Sequence, residues 1–235
     1  MYSKIKLGRQ SWVKIWFKKI KKFEFIGEMS EMSNVEKYNL FRRKHELLGN
    51  KMYFEFKVIK EKDAVLITKY IKNDDEFRKI EIPSFVTNID TENYIRNFIF
   101  EGVRQSLKVI NKSKMKDMSS LFRFYRGDEL DLSEFNTIGS TNMKNMFADC
   151  SNLKEIDVSN FDTSCVMNMS GMFSNCVKLN KIDLSNFCTI NVMDTSSMFH
   201  NCISLKDLDI SSLDMANVVD SYNMYNNCLN LINVK

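Results

Sequence analysis

Between residue 142 and the end of the chain the apolar positions repeat with a period of 26 residues. Aligning the stretches that begin at Asn142, Asn168, Asp194 and Asp220 puts Met146, Met172, Met198 and Met224 in one column, and Phe147, Phe173, Phe199 and Tyr225 in the next. Further columns hold Cys150, Cys176, Cys202 and Cys228, then Leu153, Leu179, Leu205 and Leu231, then Ile156, Ile182, Leu208 and Val234. An earlier, more degenerate unit runs from Asp117 through Leu121, Phe122, Leu130, Leu132 and Phe135, and falls into register with one residue deleted before Leu130. Each unit contains two periodicities. Val166, Met169, Met172, Phe173 and Cys176 recur three and four apart, which predicts a short helix or pair of helical turns. Ile156 to Ser159 alternate, which predicts a short strand with one face inward. One strand and one helical segment cannot bury both apolar faces alone, so about four and a half such units over 117–235 predict a stack with parallel strands on one side and helical turns on the other.

The segment Leu153 to Cys176, LKEIDVSNFDTSCVMNMSGMFSNC, resembles the 26-residue repeat of BspA-like leucine-rich-repeat surface proteins of bacteria. The resemblance covers roughly residues 117–235. It implies an α/β solenoid, a right-handed leucine-rich-repeat-like array with a parallel sheet, used for adhesion or other protein contacts and carrying no catalytic residues.

Ahead of the repeats, residues 31–116 predict a small α+β cap on the first unit. Ser33 and Glu36 form a capping box for a helix over 33–49, with Tyr38, Phe41 and Leu48 as its apolar stripe and Gly49 at its C-terminus. Met52 to Ile71 alternate around the charged turn Lys60 to Asp63, which predicts a hairpin. Ile80 to Ile89 holds the only proline and reads as an edge strand. It also resembles the strand of a second repeat type in the same broad family. From Thr91 the spacing of Ile95, Phe98, Ile99, Val103 and Leu107 predicts a second helix.

Charge divides the chain unevenly. Residues 1–118 hold 26 Lys and Arg against 16 Asp and Glu, giving +10; residues 119–235 hold 8 against 14, giving −6; together they make the net +4. With one proline and seven glycines, no flexible linker separates the halves, which are expected to pack together. No apolar run is long enough for a membrane-spanning helix.

Four sets of residues are candidates for chemistry. Asp131, Asp157, Asp183 and Asp209 form a column, with Ser133, Ser159, Ser185 and Ser211 two residues on. On a strand each Asp and Ser would share the exposed face, making a like-charge ladder at about 4.8 Å spacing that something must neutralise. Two readings stand: a surface for a cation or a basic protein partner, with Asp131, Asp157, Ser159, Asp183, Ser185, Asp209 and Ser211 as contacts, or a ladder whose oxygens accept hydrogen bonds from neighbouring Ser or backbone groups. The Asp149, Asn175, Asn201 and Asn227 column predicts structural turns. The six cysteines lack a C-x-x-C pair, and His45 and His200 lack ligand spacing, so the repeated ones read as core thiols ahead of a metal site or disulfides.

Residues 1–30 interleave lysines with aromatics. Lys14, Trp16, Lys18, Lys19, Lys21 and Lys22 could sit on an amphipathic helix against an anionic membrane or nucleic acid. The alternative is a helix packed on the cap, or a stretch upstream of a start at Met29 or Met32. No signal peptide is recognisable. The family resemblance points to the cell surface or secretion; the absent signal and the free thiols point to the cytoplasm. The chain closes on the Leu231 and Val234 columns with no polar capping unit, so either the last repeat frays or its open edge pairs with a second copy. With no nucleophile–base pair and no phosphate-binding glycine loop, the expected function is a non-catalytic protein-binding or adhesion module without a cofactor. The alternative is a peripheral membrane or nucleic-acid-associated scaffold anchored by the basic N-terminus.

Overall fold

A computed structural model describes residues 2–7, 11–16, 32–48, 54–62, 64–70, 79–82, 84, 86, 88–89 and 106–234. Residues Tyr2–Leu7 (β1) and Ser11–Trp16 (β2) form an antiparallel hairpin that pairs Lys4 with Lys14 and Lys6 with Trp12. A single α-helix follows among the described residues, Asn34–Leu48 (α1). At its start the Ser33 amide donates to the Glu36 carboxylate at 3.0 Å, and the Glu36 amide donates to Ser33 Oγ at 3.2 Å. The pair satisfies two amides that the first helical turn leaves without partners. Gly49, read as the C-cap, lies outside the described residues.

Phe54–Ile59 (β3) and Ala64–Tyr70 (β4) pair antiparallel around a 3-10 turn at Lys60–Lys62. Parallel pairing then takes over. Asn88–Ile89 (β6) pairs with β4, while Lys79–Ile82 (β5), Leu107–Asn111 (β7) and Leu130–Asp131 (β8) form a three-stranded parallel sheet in the order β5-β7-β8. Leu107, expected in a helix, is instead the first residue of β7. It pairs with Leu130, and β7 is buried at four of its five positions, so lateral pairing on both sides overrides the three-four spacing. The rest of that expected helix lies mainly outside the described residues.

From Asp117 onward the backbone advances in steps of one unit. Parallel bridges join Asp117 to Asn142, Asn142 to Asn168, Asn168 to Asp194 and Asp194 to Asp220. The first of these steps is one residue shorter than the others, which places the deletion in the degenerate unit. Asp207–Leu208 (β9) pairs parallel with Asn233–Val234 (β10). Between β8 and β9 the strand segments shrink to an isolated bridge, Glu155 to Lys181.

The expected short helix of each unit is two consecutive turns. In the unit from Asn142 the Met146 amide bonds to the Met143 carbonyl and the Cys150 amide to the Phe147 carbonyl. The amides of Met143, Asn145, Phe147 and Asp149 bond instead to carbonyls of the next unit, those of Asn168, Ser170, Met172 and Ser174. The third residue of each turn sits at positive φ: Asn145 and Asp149 here, Gly171 and Asn175 in the next unit, Ser197 and Asn201 after that. A left-handed residue every fourth position turns alternate amides out toward the neighbouring unit and prevents an α-helical ladder.

Inside the stack, Phe122, Phe147, Phe173 and Phe199 lie face to face with ring centroids 5.3, 5.4 and 5.4 Å apart. One continuous apolar cluster runs from Tyr38 and Val65 through these rings to Met224, so the front half and the repeats share a core.

Candidate protein-binding face

The Asp of the Asp/Ser column lies between inward-facing apolar residues: buried Leu130 and Leu132 flank Asp131, buried Ile156 and Val158 flank Asp157, and Asp183 and Asp209 each have one buried and one partly buried neighbour, Leu184 with Ile182 and Leu208 with Ile210. The carboxylates therefore face out, and Asp131, Asp157, Asp183 and Asp209 are all exposed. Each folds back on its own backbone. The amides of Ser133, Ser159, Ser185 and Ser211 donate to the carboxylate two residues earlier at 2.9, 2.9, 2.9 and 3.0 Å. This Asx turn bends the chain after each Asp, which explains why the expected strands are so short. Asp and Ser thus meet as partners within a turn, where the alternating pattern had placed them side by side on a strand.

Local hydrogen bonding outweighs the repulsion along the column. For Asp157 the Ser159 hydroxyl and then its amide hold the carboxyl below the usual aspartate range, against smaller opposing effects of burial and of Asp183 and Asp131. Asp131 is lowered in the same way, with Ser133 leading and Lys108 adding to it, and Asp183 is lowered chiefly by the Ser185 amide. A depressed folded pKa contributes stability that is complete above the unfolded value of about 4 and is lost as pH falls through the folded one. Replacing Asp131, Asp157 and Asp183 together by Asn keeps an acceptor in each turn but removes the titration. The melting temperature of this variant is expected to fall less steeply than that of the parent between about pH 4 and pH 2; equal slopes would refute the assignment.

The column is not uniform. Lys108 of β7 reaches Asp131 at 3.3 Å and Glu134 at 2.9 Å, and donates to Ser133 Oγ at 3.2 Å. Asp131 is thereby neutralised within the fold, which leaves Asp157, Asp183 and Asp209 as the more open part of the face. Among the described residues no group of three or more His, Cys, Asp or Glu side chains is placed to hold a metal ion.

Other columns serve the stack itself. Asn175 donates to Asp149 at 2.8 Å, Asn201 to Asn175 at 2.9 Å and Asn227 to Asn201 at 2.7 Å, and Arg123 pairs with Asp149 at 2.9 Å. Cys150, Cys176, Cys202 and Cys228 donate their thiols to the carbonyls of Phe122, Phe147, Phe173 and Phe199. Hydrogen bonding to the Cys150 thiol and then burial push Cys176 well up, which keeps it protonated and inert. Cys165 and Cys188 are exposed free thiols. One column escaped sequence reasoning: Thr137, Thr163 and Thr189 are buried, and their hydroxyls donate to carbonyls of the next unit. Its signal was the same 26-residue spacing, masked by the reputation of threonine as a surface residue.

The N-terminal candidates divide. Lys14 and Trp16 lie on β2, so the expected amphipathic helix does not form over residues 11–16, where the alternating sequence pairs with β1 instead. Lys18, Lys19, Lys21 and Lys22 lie outside the described residues. At the other end, the amides of Ser221, Asn223 and Tyr225 find no acceptor among the described residues. They continue a row in which every unit offers only donors toward the next. Beside this row, Met224, Tyr225, Ile210, Met215 and Leu231 line a cleft of about 740 Å³.

Residues 116–234 match the model of a family described as Mycoplasma protein of unknown function, DUF285. The chain belongs to this family. The DUF285 region spans the Asp/Ser column, the turn columns and the stacked phenylalanines, and begins one residue before Asp117, where the row of bridges through Asn142, Asn168, Asp194 and Asp220 starts. No curated protein and no solved structure matches the chain. No helix among the described residues is long and apolar enough to cross a membrane.

Proposed function

We propose that this DUF285 chain is a non-catalytic protein-binding module. Its repeat region is a right-handed, leucine-rich-repeat-like solenoid of the BspA-like type behind a small α+β cap, and its acidic polar face receives a basic protein partner in adhesion or a similar contact. The observation that carries this reading is the exposed carboxylate column, pre-oriented by one Asx turn per unit at Asp157, Asp183 and Asp209. Pre-oriented charges at a regular spacing attract a partner of opposite sign without the cost of ordering flexible side chains. Ser159, Ser185 and Ser211 stand beside them as further polar contacts.

A synthetic Lys/Arg-rich peptide serves as the probe. The triple substitution Asp157→Asn, Asp183→Asn, Asp209→Asn is expected to weaken its binding at least about tenfold at low salt, in line with the loss of three charge contacts. A form lacking residues 1–30 is expected to bind as the parent does. Unchanged binding by the triple variant would refute the acidic face as the site.

A further inference from the structure

A second surface lies on the corner that follows the Asp/Ser turn. The segments 137–141, 163–167, 189–193 and 215–219 stack on one another, and their twenty residues include no charge, in a chain of which 27% is charged. Ile138, Met167, Ile190 and Met193 are 58, 45, 52 and 44% exposed, and Val219 continues the Met167–Met193 column. The backbone beneath is already satisfied. The backbone amides of Met167, Met193 and Val219 donate to the carbonyls of Thr141, Met167 and Met193, and the side-chain amides of Asn191 and Asn217 donate to the carbonyls of Ser164 and Ile190. Such a face cannot recruit a strand by main-chain pairing; what it offers is apolar side chains alone.

The geometry points to a docking site for an amphipathic helix of a partner protein, laid along the stack axis with its apolar face on the Met167–Met193–Val219 column and on Ile138 and Ile190 beside it. Three features select that occupant. Stacked units spaced about 4.8 Å apart give a strip roughly 20 Å long and 15 Å wide, on the order of 300 Å². That is well under the ~800 Å² per partner that a stable dimer of folded copies needs, and it suits a helix of about three turns. Successive side chains of the column repeat at the unit spacing of about 4.8 Å, close to the α-helical pitch of about 5.4 Å, so over three turns about one apolar residue per turn meets one unit. Methionine, unbranched and polarizable, adapts to the knobs of such a helix. The absence of charge also distinguishes this face from the acidic one, so the two can be occupied independently.

The probe is an uncharged synthetic Leu/Gln helix of about 15 residues with one leucine face, labelled for fluorescence anisotropy. Its control is the same composition scrambled so that no face is apolar. The full chain is expected to bind the helix saturably and the scramble at least tenfold more weakly. Met167→Lys with Met193→Lys is expected to weaken helix binding at least tenfold, while the Asp157, Asp183, Asp209→Asn variant changes it less than twofold; failure of the acidic-face proposal would leave this pattern intact. Because these side chains are half exposed, the Lys pair is expected to melt as the parent does; should it not, Ile190→Gln provides the second comparison, with a several-fold loss expected. Equal binding of helix and scramble, no binding of either, or full binding by the Lys and Gln variants would overturn the proposal. So would a reversible dimer in sedimentation velocity, or flotation with neutral phosphatidylcholine vesicles, that the Lys pair abolishes, since the face would then belong to a second copy or to a bilayer.

Discussion

Phe173→Ala is expected to destabilise the protein by about 3–5 kcal/mol, the range for removing a large buried aromatic side chain. Phe173 is fully buried, and its ring lies 5.4 Å from Phe147 at 6° and 5.4 Å from Phe199 at 7°. The substitution removes both stacking contacts, each worth about 0.5–1.5 kcal/mol beyond area burial, and leaves a cavity between units that rigid backbone bonds hold apart. In an array whose units touch only their neighbours, the damage falls on the two interfaces of this one unit. The units from Met198 onward, separated by this gap from the larger group of units that shares a core with the front half, are expected to unfold first. A urea melt followed by circular dichroism therefore changes from one transition to two, and hydrogen exchange quickens at Thr195, Ser197 and Phe199 ahead of Met143 and Asn145. Phe173→Leu, which nearly conserves volume, is expected to cost less than about 1.5 kcal/mol and to keep a single transition. A loss below that size for the alanine variant would mean that the rings are not what couples the units.

The periodicity of the chain was legible because a repeat states each structural demand several times. The phenylalanine, cysteine and leucine columns lie where a shared interior requires them, and the Asn/Asp column lies at positive φ, where those side chains are tolerated better than most. The pairing of Ser33 with Glu36 was equally readable, since both partners lie within one turn of chain. The conformation between the columns was less so. Spacings of three and four are shared by an α-helix and by two successive turns, and only the destination of the alternate amides separates them. Those of Met143, Asn145, Phe147 and Asp149 bond to a neighbour 25 residues away, which no local pattern announces. The Asp/Ser pair carried the same ambiguity, because a separation of two fits both the face of a strand and an Asx turn. Hydrogen bonding from the Ser amide decided for the turn. Leu107 departs from the expected helix because the helical spacing upstream runs into the first residue of β7, which pairs with Leu130, while its neighbour Lys108 is paired on both sides, with Lys79 and Asp131.

The Asn column makes the sharpest distinction between backbone and side-chain contributions. Asn175 stands at φ 60°, donates to Asp149 at 2.8 Å and accepts from Asn201 at 2.9 Å. Asn175→Gly keeps the left-handed backbone and loses only the amide contacts, for an expected cost of about 1–2 kcal/mol. Asn175→Val loses the same contacts and also forces a β-branched residue to positive φ, which adds about 1–3 kcal/mol; a total near 3–4 kcal/mol is expected from chemical denaturation. Asn175→Asp sets a second carboxylate against Asp149, which Arg123 already pairs on its far side. Its folded pKa is raised by the like charge, so the folded state holds that proton longer than the unfolded one. Its destabilisation is therefore small below about pH 4 and grows as pH rises above it, the reverse of the acid limb at Asp131, Asp157 and Asp183. Measured side by side, the Gly and Val variants separate the strain of the turn from the value of the ladder, and equal losses for the two would show that positive φ costs nothing at this position. The Asp variant tests the ladder independently: a stability difference from the parent that does not change between pH 3 and pH 7 would mean that residues 149 and 175 do not touch in solution.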